Sequence, residues 1–129
     1  MNKTSWLIIG ITVLIIGGGI FLFSRSSSNS SSPALTNLPS PTKSEYYWRV
    51  GCEHCQNVDN FLATWVNKDK VQWDKFEVTD NTNAQRMIAR AVSCKLDPNQ
   101  VGTPLLFTPD GKCIDGDTPI IDYLKTTIK

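Results

Sequence analysis

Trp6 to Phe23 reads WLIIGITVLIIGGGIFLF, eighteen residues without a charge and with Thr12 as the only hydroxyl. At about 1.5 Å of rise per residue such a run spans roughly 27 Å as a helix, close to the hydrocarbon thickness of a bilayer. In lipid it has no alternative to the helix, because no water is there to satisfy its backbone N–H and C=O groups. Trp6 suits an interfacial anchor, and Gly17-Gly18-Gly19 is tolerated in membrane helices. Residues 1–23 are therefore read as a membrane anchor. A cleaved signal peptide is the competing reading. Its apolar core is usually about 7 to 15 residues; Leu22-Phe23-Ser24 is a poor cleavage site, and Ser24-Arg25-Ser26 a conceivable one. Lys3 before the run and Arg25 after it weakly favour an inside N-terminus. Both readings export the remainder of the chain. The expectation is a single-pass protein of the cell membrane with an extracytoplasmic C-terminal part.

Residues 24–43, SRSSSNSSSPALTNLPSPTK, hold eight serines and three prolines. That composition has too little apolar surface to offset the entropy of ordering, so the segment reads as a flexible linker. The chain's net charge of +1 gives no ground for a nucleic-acid partner.

From Ser44 the pattern changes. Tyr46 to Val50 is β-prone. Val58, Phe61, Leu62, Trp65 and Val66 then repeat at helical spacing, the stripe of a helix with one buried face. Val71 to Thr79 reads as a second strand. Ala84, Met87, Ile88, Ala91 and Val92 make a second stripe, with Asp80, Asn81 and Thr82 as N-cap candidates. Val101 to Thr108 is a third strand. Pro109-Asp110-Gly111-Lys112 is a turn, and Cys113 to Asp115 a short fourth strand. Thr118 as N-cap and Pro119 at the first helical position open a last helix whose inner face carries Ile120, Ile121, Leu124 and Ile128. The fold class is α/β, in the order β-α-β-α-β-β-α over residues 44–129, with a mixed four-stranded sheet.

Between the first strand and the first helix lies GCEHC, Gly51 to Cys55, with the chain's only histidine between two of its four cysteines. The pair admits three readings: a metal clip, a structural bridge, or a dithiol that exchanges electrons. Cys52, His54 and Cys55 suit Cu(I) or Zn(II) by ligand type. A four-cysteine zinc site is disfavoured, because Cys94 and Cys113 do not form a second short knuckle. For the redox reading, Cys52 stands where a helix begins, and four unpaired N–H groups there favour a thiolate.

This strand order, with C-x-x-C where strand one meets helix one and Thr103-Pro104 before strand three, resembles the thioredoxin superfamily, particularly its compact glutaredoxin-sized members. The likeness covers residues 44–129. It implies an exposed nucleophile at Cys52, a buried resolving cysteine at Cys55, and redox tuning by Glu53 and His54. It also implies a cis-proline element at Thr103-Pro104 that binds the substrate's cysteine-containing strand. Thioredoxins keep a buried acid in the strand before the motif; Tyr46 stands at the corresponding place. Glu53 opposes a Cys52 thiolate and a protonated His54 favours it, so the direction of electron flow stays open. In this fold Cys94 and Cys113 approach one sheet edge, and a structural disulfide, two separate thiols and a second redox pair are all possible.

The activity implied is a membrane-tethered thiol–disulfide oxidoreductase. It needs no cofactor beyond its redox-active disulfide. Its partners would be exported cysteine-containing proteins, a redox partner that recycles the dithiol, and the bilayer through residues 6–23. The alternatives are the metal-binding module and a non-catalytic scaffold whose C-x-x-C is a structural bridge.

Overall fold

A computed structural model of the chain describes residues 38–129. The expected anchor and residues 24–37 of the linker lie outside the described residues. Among the described residues no helix is long and apolar enough to cross a membrane.

Four strands and three α-helices follow one another as β1 (Ser44–Trp48), α1 (Glu53–Thr64), β2 (Trp73–Glu77), α2 (Asn81–Ser93), β3 (Leu105–Phe107), β4 (Cys113–Asp115) and α3 (Asp117–Thr127), with a 3₁₀ turn at Lys68–Lys70. The sheet order is β2-β1-β3-β4. β1 and β2 are parallel, β1 and β3 antiparallel, and β3 and β4 antiparallel. The α/β class and the mixed four-stranded sheet are as the sequence predicts. β1 is central, and its period-2 alternation sends Tyr46 to one face and Tyr47 to the other. Tyr46 packs with Val58 of α1, Leu106 of β3, and Ile120 and Leu124 of α3. Tyr47 packs with Met87 and Ala91 of α2 and with Leu105 and Phe107. The domain is thus three-layered, with α1 and α3 on one face of the sheet and α2 on the other.

Several boundaries differ from the sequence reading, each for a local reason. β1 begins and ends two residues earlier than expected, because it pairs from Ser44 opposite Trp73. α1 stops at Thr64, where Trp65 takes an extended conformation as C-cap, and Val66 is left 87% exposed instead of continuing the stripe. In α2, Val92 is exposed and Arg90 is buried in its stead. An acid on β1 draws that guanidinium inward. The last helix starts at Asp117, not after a Thr118 cap. Gly116, at φ 93°, turns the chain out of β4, and its N–H donates to the Pro104 carbonyl at 3.0 Å. Asp80 is the N-cap of α2, accepting from the Asn83 N–H at 3.0 Å.

The acid on β1 is Glu45, 1% exposed. Its two oxygens accept from Arg86 (Nη2 at 2.6 Å), Arg90 (Nε at 2.8 Å) and the Tyr47 hydroxyl (2.7 Å). Burial alone raises the carboxyl's pKa. The hydrogen bonds from Arg90, Tyr47 and Arg86 outweigh it and hold the group below the usual carboxylate value. Arg90 has a further role: its Nη2 donates to the Pro39 carbonyl at 2.8 Å and its Nη1 to that of Leu38 at 3.3 Å. Leu38 and Pro39 of the serine- and proline-rich segment are therefore fixed to α2.

Tyr46, on the other face, stacks on Trp73 with centroids 4.5 Å apart. Its hydroxyl is buried and has no hydrogen-bond partner among the described residues. An unmade buried hydrogen bond costs about 1–3 kcal/mol. Tyr46→Phe keeps the ring and removes the unmet group. Its denaturation midpoint is expected to be unchanged or raised, by up to about 1 kcal/mol in stability. A clear loss of stability would mean that the hydroxyl is satisfied, by water for instance.

Candidate active site

The site lies where the C-terminal end of β1 meets the start of α1. Gly51, at φ 75°, makes the turn between them, a conformation that side chains rarely adopt. Cys52 is the N-cap of α1, and its Sγ accepts the Cys55 N–H at 3.1 Å. Cys52 and Cys55 are joined as a disulfide. Cys52 is 7% exposed and Cys55 2%. Cys52 is the more accessible of the pair, but less open than the sequence reading expects. The reason is the segment opposite: Cys52 Sγ lies 3.4 Å from the Thr103 carbonyl oxygen, and Thr103-Pro104 is a cis peptide bond.

A cavity of about 410 Å³ opens beside the sulfur. Of the residues singled out by sequence, Cys52, Glu53, His54 and Thr103 line it; Cys55 and Pro104 lie buried behind. Its remaining wall includes Arg49, Val78, Met87 and Val101, mostly apolar. Two influences on a Cys52 thiolate are visible. The Cys55 N–H and the open N-terminus of α1 point at the sulfur and favour negative charge. The Thr103 carbonyl dipole, on the other side, opposes it.

His54 does not act alone. Its Nδ1 is 3.1 Å from Asp117 Oδ2 at the start of α3. The same oxygen accepts from Asn57 Nδ2 at 2.6 Å, and Oδ1 accepts from the Thr118 N–H at 2.9 Å. The bond from Asn57, then that from His54, lowers the Asp117 carboxyl to about 2. Asp117 is consequently ionised at neutral pH and can only accept, so Nδ1 of His54 is the nitrogen that carries the proton. Asn57→Ala is expected to move the Asp117 midpoint from about 2 towards its ordinary 3.8, read from the carboxyl carbon shift by NMR. The stabilisation belonging to this depressed carboxyl is present above the ordinary value and is lost as pH falls through about 2. An unmoved midpoint in the variant would leave His54 and the Thr118 N–H as the causes.

Asp117 has no local sequence signal, since 63 residues separate it from His54. The signal that finds it is topological. β1 and β4 run the same way, so the helices after them start at the same edge of the sheet.

At the opposite edge, Cys94 at the end of α2 and Cys113 at the start of β4 form the second disulfide. Among the described residues no group of three or more His, Cys, Asp or Glu side chains is arranged to hold a metal ion. Cys52 and Cys55 bond to each other, and His54 turns its Nδ1 to Asp117. No protein-family model, curated protein or solved structure matches this chain.

Proposed function

We propose that this protein is a thiol–disulfide oxidoreductase of thioredoxin-like type, tethered to the membrane by residues 6–23 and acting on exported proteins through Cys52 and Cys55. The observation that carries the reading is the setting of Cys52. It caps a helix, is bonded to a more deeply buried partner just beyond Glu53-His54, touches the Thr103 carbonyl oxygen and lines a cavity together with Thr103. A purely structural bridge requires no such opening.

The exchange follows from access. In the oxidising direction a substrate thiolate attacks Cys52 Sγ, the Cys52–Cys55 bond breaks, and Cys55 leaves as thiolate. A second substrate thiolate then attacks the substrate sulfur of the mixed disulfide and releases Cys52 as thiolate. The substrate is oxidised by two electrons and the dithiol reduced. In the reducing direction the Cys52 thiolate attacks a substrate disulfide and Cys55 resolves the product. Glu53 borders the cavity, and His54 turns its Nδ1 to Asp117. The helix N-terminus and the Cys55 N–H are thus the main supports of a Cys52 thiolate.

The test is the redox equilibrium of the protein against glutathione, with serine variants of each cysteine. Cys55→Ser is expected to attack oxidised glutathione through its Cys52 thiolate, release one glutathione thiol and keep the other as a mixed disulfide visible as added mass, and Cys52→Ser to trap none. A Cys55→Ser protein that traps no partner sinks the proposal.

A further inference from the structure

The domain's charge is segregated along the strand direction. One edge of the sheet carries the starts of β1 and β2, the β3–β4 turn and the ends of the three helices; the other carries Cys52 and the helix starts. On the first edge stand Lys43, Lys68, Lys70, Lys112, Lys125 and Lys129, all exposed, against Asp69, Asp74, Asp110 and Asp122, with Lys112 paired to Asp110 and Lys125 near Asp122. Lys95 and Asp97, at the end of α2, offset each other. The dithiol edge is the reverse: Glu53, Glu77, Asp80, Asp115 and Asp117 stand there against Arg49. The segregation is invisible in the chain's net charge.

The lysines also share ground with aromatic rings. Lys43 and Lys70 line a groove of about 330 Å³ together with Trp73 and Tyr123, both half-buried. Lys70 Nζ donates to the Lys129 carbonyl at 2.7 Å, which joins the 3₁₀ turn to the end of α3.

We propose that this lysine edge rests on an anionic phospholipid surface and holds the dithiol edge away from it. The inference depends on the proposed membrane anchor and not on the dithiol chemistry. Three observations support it. Lysines clustered next to a membrane-spanning segment are drawn to anionic headgroups, and the carboxylates of the opposite edge are repelled by them. Tryptophan and tyrosine rings settle at headgroup level. The chain also enters the domain at this edge, since Arg90 holds the Leu38 and Pro39 carbonyls and β1 starts at Ser44. Residues 24–37 separate that point from the apolar run, and fourteen residues reach at most about 50 Å fully extended. A surface so close is presented to the lysines at high effective concentration.

The test uses the full chain reconstituted into phosphatidylcholine vesicles with and without roughly one third phosphatidylglycerol, at low salt and at about 0.5 M salt. An amine-reactive reagent labels the lysines, and mass spectrometry reads each rate, with Lys75 of β2 as internal reference. The edge lysines are expected to label at least about five-fold more slowly than in neutral vesicles at low salt, with the difference lost at high salt. Lys43→Glu combined with Lys70→Glu should abolish the protection without moving the glutathione equilibrium of the dithiol. Equal rates in the two vesicles overturn the docking surface while leaving the anchor standing. A chain that floats with neither vesicle overturns the anchor and the docking surface together.

Discussion

Glu45→Gln is expected to lower the unfolding free energy by about 3–5 kcal/mol, the cost of leaving a buried charge unpaired. Arg90 is the group left behind: its side chain is 4% exposed, and its strongest partner is the Glu45 carboxylate. Against a total stability of about 5–15 kcal/mol for a domain this size, the loss is large. Denaturant unfolding at pH 7 measures it. A control separates the charge from the packing. Glu45→Met with Arg90→Met removes both buried members, and the pair should be less destabilising than the two single changes added together. Additivity would mean that the contacts are energetically independent. The same carboxylate sets a pH dependence. Its folded pKa lies below the ordinary 4.5, so its contribution is complete above that value and fades as pH falls through the folded value. Wild-type stability should therefore fall below about pH 4.5 more steeply than that of Glu45→Gln.

The second large effect concerns Cys94 and Cys113. Their bond closes a loop with a sequence separation of 19, and removing a closure of that size costs about 3 kcal/mol in the chain-entropy model. The location adds to the case. β4 has three residues and pairs only with β3, so the disulfide ties a short edge strand to the helix that covers the sheet. Cys94→Ala with Cys113→Ala is expected to lower the denaturation midpoint accordingly while leaving the Cys52–Cys55 equilibrium with glutathione in place, because the two disulfides occupy opposite edges of the sheet. A shift in that equilibrium would show that the two pairs communicate. Unchanged stability would mean that the unfolded chain is not restricted by the closure. Both this bond and Glu45 hold α2, so their losses should combine non-additively.

The order of elements is legible in the sequence because each helix face repeats at 3.6 residues and the short β-prone runs lie between them. Ile120 and Leu124, Met87 and Ala91, and Val58 fall on the core-facing sides that their spacing predicts. Of the three readings the sequence leaves open for Cys94 and Cys113, the bond between them excludes two separate thiols. What periodicity cannot express is a polar residue that belongs inside. Arg90 sits one position before Ala91, outside the apolar stripe, yet it is buried because Glu45 is. Glu45 itself precedes the aromatic run and carries no sign of its partners, 41 and 45 residues away in Arg86 and Arg90. Glu45 lies one residue before Tyr46, on the face of β1 that looks towards α2 and away from α1. The candidate site shows the same division. Cys52 and Thr103 stand out by local pattern, whereas Asp117 comes to light only when two helix starts are seen side by side.

Arg90 has a mechanical consequence. Any protein held by one end transmits drag, Brownian jostling and the tug of a bound partner through its point of entry. Here that point is not a loose end leading into an edge strand. The Leu38 and Pro39 carbonyls are gripped by a guanidinium that is itself seated on Glu45 of the central strand and rooted in α2. A pull from the N-terminal side is shared at once between a helix and a strand flanked on both sides. A load entering there acts along β1 against two neighbours instead of peeling one away.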